Sequence, residues 1–555
     1  MVIDIRHFAR PDPVHTEICI IGGGIAGIVI ALELGRQGIP VCLLESGGFT
    51  EHRKTNDLYN GENAGLPYEF AKGYRSRFLG GSSNCWGGHC RPLDDEDFEQ
   101  RDWVPLSGWP ISKTELAPYY EDAHRWLGLG PRSFDSEFWE SQINRPDARL
   151  FNLSDDGIDE IISQFSPPVR MGKLHREELV KSPFISVYLW ANVMELVRAP
   201  GDDRVREAVT KTLGGRIHRF RARAFILAAG GIENARLLLL SRRDQAEGLG
   251  NQNGLVGRYF MDHPRITLGK FKCNRHWRPN NLFDFKYQFH NPAVKAHGTC
   301  VAGHFRLSPR IQKEERVLNA YSWLLSCFPL EESTNAGNLR KLRRTLHRHP
   351  PLSLPVLGDL LKAGLTPHEV LWRFIVLRTR PRSLVTHLRL QVIIEQSPNP
   401  ASFISLSDER DALGANRVKV NWQLGDLEKH TLQKNFSIIA SALRNHGLDK
   451  VEDAEAVLNR PDWAHSTEST YHHMGTTRMH ASPRQGVVDA DCKVHDLRNL
   501  YIAGSSVFPT AGAHTPTMTL VALAVRLARH IRAQSSRPAG AGTEKNPSPL
   551  SLTTR

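Results

Sequence analysis

The chain has 555 residues, too many for one simple core, so two domains are expected. With 40% hydrophobic and 23% charged residues it has the make-up of a folded globular protein, which excludes wholesale disorder. The formal charge of +12 raises nucleic acid or an acidic membrane surface as partners, but +8 of it lies between Leu339 and Arg382, and the +4 left elsewhere excludes a general nucleic-acid-binding surface.

In chain order, the N-terminal MVIDIRHFARPDP lacks an apolar signal core. No apolar run reaches the roughly 18 residues that a membrane span needs, so a cytoplasmic location is expected. The eight cysteines are scattered without a CxxC pair, which argues against a zinc site or a disulfide scaffold and fits a reducing compartment. No metal site is expected.

The stretch EICIIGGGIAGIVIALELGRQGIPVCLLES predicts a strand over 18–21, a helix to about Arg36 and a second strand over 41–44 that ends at Glu45. Between the first strand and the helix stands Gly22-x-Gly24-x-x-Gly27. Gly22 makes the tight turn, Gly24 lets backbone approach a pyrophosphate, and Gly27 lets the helix pack on the strand. Glu45 would hold ribose hydroxyls. The unit predicts dinucleotide binding at the helix N-terminus but leaves NAD and FAD equally open.

Further along, residues 339–382 are basic and Pro-marked. Leu354, Leu357, Leu360 and Leu361, then Leu371, Trp372, Phe374 and Ile375, predict two short amphipathic helices. A lid, a dock for an acidic electron acceptor or phosphorylated substrate, and a membrane-surface contact near quinone compete there with a plain solvated flank. NLYIAGSSV reads as a strand entering a small-residue turn. Pro516 then opens a helix whose N-terminus can stabilise developing negative charge. The Pro-, Gly- and Ser-rich end, 533–555, predicts a disordered tail.

FLGGSSNCWGG (78–88), FILAAGGIENARLLLL (225–240), VGRYFMDHP (256–264), EQSPNP (395–400) and the run from YHHMGTTRM through NLYIAGSSVFPTAGAHTPTMT resemble the glucose-methanol-choline (GMC) family of FAD-dependent oxidoreductases. Together with Ser107–Leu129 they are most similar to its branch of pyranose oxidases and fructose and gluconate dehydrogenase flavoproteins. The resemblance implies an α/β fold: a Rossmann-like FAD domain built from discontinuous segments, and an α+β substrate domain with a mostly antiparallel sheet. The FAD domain is expected at 15–90, 186–265 and 465–532, a mixed segment at 91–185, and the substrate domain at 266–464.

The same resemblance implies oxidation of a C–OH group of a sugar, polyol or related alcohol, with FAD as the cofactor and hydride transfer to flavin N5. A non-sugar alcohol, or a flavin-binding protein with impaired catalysis, is the alternative. The electron acceptor is unknown; a dehydrogenase is favoured over an oxidase, from which it differs only in oxygen access. FAD contacts are expected from Gly22, Gly24, Gly27, Glu45, Val193, Gly504 and Ser505, from Gly80, Gly81 and Asn84, and from the N–H groups near Thr517 and Met518.

The family's catalytic histidine stands four residues before the Thr of its Gly-Thr pair; counting back from Thr476 gives His472 as the base, with His473 turned away. The second catalytic position, just before the Pro-Thr helix start, normally holds His or Asn. Here it holds Thr515, and His514 stands one residue earlier. Either the loop shifts so that His514 enters the site, which a second imidazole favours, or Thr515 binds the hydroxyl. Cys85 replaces the histidine through which some relatives attach flavin, so FAD is expected to be non-covalent. His263 is expected to pack structurally.

Overall fold

The run Ile18–Ile21 is buried throughout, as a central parallel strand requires. It closes the strand Val14–Ile21, which pairs in parallel with Val41–Glu45, setting Ile18 opposite Val41, and with Ile217–Leu227, setting Ile18 opposite Ala224. Leu500–Ile502 adds in parallel beside Ile217–Leu227, so segments from both ends of the chain share one eight-stranded sheet. Val2–Asp4 is a parallel edge strand on Ile185–Leu189, so this sheet starts ahead of residue 15. The computed structural model describes all residues except 9–12, 71–72, 168, 200, 289–290, 292–293, 330–374, 377 and 536–555.

Helix α1 (Ile25–Gly35), buried along nearly its whole length, packs on that sheet, and α3 (Thr517–Ser535) packs on both α1 and α2 (Lys113–Trp126). Helix α2 begins with a reciprocal cap. Ser112 Oγ accepts from Glu115 N at 3.2 Å and Glu115 Oε2 accepts from Ser112 N at 2.8 Å. Such a cap contributes about 1 kcal/mol.

A second eight-stranded sheet is antiparallel and runs through Arg265–Cys273, His387–Ile394, Ala320–Cys327, Thr299–Leu307 and Ile158–Phe165, with His89–Cys90 at its edge. His89 and Cys90, expected to close the first FAD segment, therefore belong to the substrate-side sheet. The helix Asp426–Arg444 contributes Leu432, Phe436, Ile439 and Leu443 to the core of this sheet. Each such side chain stabilises by about 1.5–3 kcal/mol. The fold is thus the mixed class expected, a mostly parallel α/β layer joined to an antiparallel sheet with helices.

Of the basic segment, 339–374 lies outside the described residues, as does the tail from 536 on. The two short helices expected there fall almost wholly in that part. At its described end, Arg382 lies over the Tyr287 ring at 3.7 Å. Among the described residues, no helix is long and apolar enough to cross a membrane.

Candidate active site

A cavity of about 640 Å³ joins the C-terminal ends of the parallel strands, at Gly22 and Glu45, to a face of the antiparallel sheet at His304 and Trp323. Gly22 has φ +113°, and a Cβ on it would stand 2.5 Å from Ala228 O, so the turn needs glycine. A Cβ at Gly24 would meet nothing nearer than 3.9 Å, which leaves its backbone open to the cavity. Helix α1 starts there with no side-chain cap and no acidic residue in its first turn. Bare N–H groups at a helix start form a cradle for phosphate.

Gly27 does not line the cavity. A Cβ there would lie 2.0 Å from Gly22 O, so its part is close packing of helix on strand. Glu45 borders the cavity, its Oε2 accepting from Gly23 N at 3.0 Å and its Oε1 from Gly47 N at 2.8 Å. Burial pushes its carboxyl above the usual range, and these two N–H groups pull it back. Val193 lines a smaller recess, about 60 Å³, that shares Gly22, Ser46 and Arg77 with the main cavity.

Gly81 is on the wall, whereas Gly80 and Asn84 stand behind it; Asn84 Nδ2 donates to Leu79 O at 3.1 Å and to Gly81 O at 3.0 Å, holding the turn. Gly504, Ser505 and Thr517 line the cavity, and Met518 is buried behind them. No atom comes within 4 Å of where a Cβ on Gly504 would be. Open backbone at Gly24 and Gly504, an uncapped helix start and a buried carboxyl at the strand end all fit an extended dinucleotide.

His472 and His473 both reach the cavity, in different ways. The pair sits on a turn held by buried Asp262, whose Oδ1 accepts from His472 N at 2.9 Å and whose Oδ2 accepts from Tyr471 N at 3.1 Å. Tyr471 has φ +63°, a strained value that these bonds and its stacking on Tyr74 at 3.7 Å sustain. The Nε2 of His473 bonds the Tyr68 hydroxyl, and its ring stacks with Phe260. Burial, then the charge of Arg75, pushes His473 down to about 3.

His472 Nδ1 lies 2.9 Å from His263 Nδ1 and 3.0 Å from Thr470 Oγ1. His263 Nε2 lies 3.4 Å from the backbone oxygen of Ala511, which can only accept, so the proton of His263 belongs on Nε2. Its Nδ1 is then a lone pair, and His472 must carry its own proton on Nδ1. The Nε2 of His472 is left as a lone pair, and among the described residues no protein group bonds it. Burial first, then the rings of His263 and His89, hold His472 well below the usual imidazole range, so it is neutral. His263 thus does more than pack: it sets the tautomer of His472.

His514 does not enter the cavity, and the loop shift that would bring it there is absent. It is fully buried, with its ring stacked on Tyr321 at 5.4 Å and its Nε2 3.0 Å from Asp94 Oδ2. Burial outweighs the pull of Asp94 and pushes it down to about 4. Thr515 is on the wall instead, with its Oγ1 donating to His89 O at 2.6 Å.

Cys85 borders the cavity with its thiol 3.5 Å from Ser76 Oγ and 3.4 Å from Ser82 O. Burial pushes that thiol up, which keeps it protonated and poorly nucleophilic. Acid precipitation is therefore expected to release the flavin into the supernatant; colour retained in the pellet and mapped to a Cys85 peptide would show a thioether instead.

The sequence reading missed His89, His304, Tyr321, Trp323 and Phe285, all on the cavity wall. The motif FLGGSSNCWGG ends one residue before His89, and that adjacency was the only local signal. The others sit on or beside strands of the antiparallel sheet, where nothing in the sequence distinguishes a cavity position from a core one.

Residues 398–524 match the family model described as GMC oxidoreductase. The chain is 23% identical over 592 aligned residues to the 2-methyl-1,2-propanediol dehydrogenase of Mycolicibacterium austroafricanum, covering 93% of this chain and 95% of that one. It is 22% identical over 591 residues to the fructose dehydrogenase large subunit of Gluconobacter japonicus, covering 93% and 98%. The C-terminal part of the chain, residues 398–524, is thus that of a GMC oxidoreductase. The chain's fold is that of a formate oxidase from Aspergillus oryzae, with a TM-score of 0.54 at 17% identity over 95% of this chain and 99% of that one.

Proposed function

We propose that the whole chain is an FAD-dependent GMC oxidoreductase that oxidises a C–OH group of a sugar or polyol to a ketone or aldehyde, with His472 as the base. The observation that carries the reading is the free Nε2 lone pair of a neutral His472 at the cavity. That atom takes the hydroxyl proton as the C=O bond forms. Bound FAD supplies the acceptor for the hydride that leaves the same carbon.

For the cofactor, Gly22 and Gly24 with the start of α1 would receive the pyrophosphate and Glu45 the ribose. The recess at Val193 would take the adenine end, and Gly81, Gly504, Ser505 and Thr517 would meet the rest. Gly27, Gly80, Asn84 and Met518 support those positions from behind. On the substrate side, the Phe285 and Trp323 rings stack at 5.0 Å with 12° between planes, beside Tyr321 and His304. An aromatic floor with polar groups at its rim suits a sugar ring, which has an apolar C–H face and hydroxyls at its edge.

The relatives named above include a sugar dehydrogenase and a diol dehydrogenase, which favours an acceptor other than oxygen. Turnover of D-glucose, D-fructose, D-xylose and 1,2-propanediol, followed by reduction of dichlorophenolindophenol and separately by peroxide release, tests the reading. Dye reduction with a sugar, faster than peroxide release, is expected. Turnover of the diol alone would assign small alcohols, and no turnover of any of them would contradict the proposal.

A further inference from the structure

The geometry of the cavity leaves a hydrogen-bond donor unaccounted for. As His472 takes the proton, negative charge grows on the reacting oxygen, and a donor aimed at that oxygen lowers the barrier. Thr515 does not supply it, because its single hydroxyl proton goes to His89 O at 2.6 Å. Nor do the neighbouring amide and indole: Gln288 Nε2 donates one proton to Gly303 O at 2.8 Å and the other to Leu282 O, and Trp323 Nε1 donates to Gln391 Oε1 at 2.9 Å.

His89 and His304 approach from opposite sides, one from the edge strand His89–Cys90 and one from Thr299–Leu307, with their Nε2 atoms 3.1 Å apart. One of those nitrogens must donate and the other accept. His304 is 1% exposed, and its Nδ1 is buried with no partner among the described residues. A buried orphan N–H is rarer and costlier than a buried orphan lone pair, so the His304 proton belongs on Nε2, facing His89. His89 Nε2 then accepts, and the His89 proton must sit on Nδ1.

No protein group among the described residues bonds His89 Nδ1, and the residue lines the cavity. His472 lines the same cavity. Two paired imidazoles thus present opposite polarities to one cavity. His472 offers a lone pair with its direction fixed by His263, and His89 offers an N–H with its direction fixed by His304.

We propose that His89 Nδ1–H donates to the oxygen of the reacting C–OH group, taking the part that residue 515 leaves open, with His304 as its positioning residue. The inference rests on the reading of this cavity as an alcohol-oxidising site.

Anaerobic stopped-flow reduction of the flavin, by whichever of D-glucose, D-fructose, D-xylose or 1,2-propanediol reduces the wild type fastest, tests it. His89→Ala is expected to lower the limiting rate about 10²–10³-fold, the usual loss for one such donor, with flavin content unchanged and substrate Kd moved far less. His89→Asn, whose amide keeps a donor near Nδ1, recovers most of that rate, and added imidazole partly rescues His89→Ala. His304→Gln, which keeps a donor toward His89, outperforms His304→Leu, a difference that a purely structural part would not produce.

Wild-type reduction that His89→Ala leaves unchanged overturns the inference alone. So does a larger loss in Tyr321→Phe or Thr515→Val than in His89→Ala, which would move the donor to one of those hydroxyls. Failure of all four compounds to reduce the wild-type flavin overturns the proposed function and this inference with it.

Discussion

His472→Ala is expected to slow reduction of the bound flavin by an alcohol about 10²–10⁴-fold, the range for losing a positioned general base, while FAD stays bound. The Nε2 lone pair is the group removed, and nothing beside it replaces it. His473 has its Nε2 on the Tyr68 hydroxyl, and His263 has both ring nitrogens engaged. His473→Ala is expected to cost far less in rate. The pH profile carries a second sign of the same base. Because His472 is held below the ordinary imidazole range, its lone pair persists into acid, and the rate stays level as pH falls through about 6.5 before dropping. Rapid-mixing rates for both variants across pH check this. Wild-type reduction rates in His472→Ala would remove the residue from the base's role.

The second large effect is on stability. His263, His304 and His514 are fully buried, and burial holds all three below their unfolded value of about 6.5. Below that pH the unfolded chain binds three protons that the folded chain refuses, so stability falls as pH falls. Each group contributes about 1.4 kcal/mol of loss per pH unit while its folded form stays neutral. Asp97 works the other way. Burial beside Asp94 and Glu395 pushes it up to about 8, so the folded chain keeps a proton that the unfolded one has released. His89, His472 and His473 are held down in the same way and Glu45 joins Asp97 on the other side, so the balance is still a net loss of more than about 1 kcal/mol per pH unit. The thermal midpoint is expected to drop from pH about 6.5 to about 4.5, less steeply in His514→Gln, which removes one of the three. A midpoint that is flat or rising over that range would contradict the electrostatic picture.

What the sequence made legible was what local rules determine. The strand, glycine turn, helix and Glu45 follow one another within one short stretch, and each is dictated by periodicity or by the turn that Gly22 alone can make. The same holds for Leu500–Ile502 and the helix after Pro516. The family resemblance, through the four-residue spacing to Thr476, pointed to His472, which lies on the cavity wall. Contacts across the fold were not legible. His263 meets His472 from 209 positions away, and His89 meets His304 from 215. No spacing rule connects either pair, yet those contacts fix which nitrogen of His472 and of His89 faces the cavity. The choice between His514 and Thr515 turned on a single residue in a tight loop. It is decided by Asp94, far off in sequence, which holds His514 inside while Thr515 takes the wall.

The most direct test of the account is anaerobic reduction of the bound flavin by D-glucose or D-fructose, compared with the same sugar deuterated at the carbon that is oxidised. Loss of the visible flavin band with the ordinary sugar, distinctly slower loss with the deuterated one, and near-absence of both in His472→Ala is the result predicted. A flavin that keeps its colour with every sugar and diol offered, in a protein that holds FAD, would contradict it.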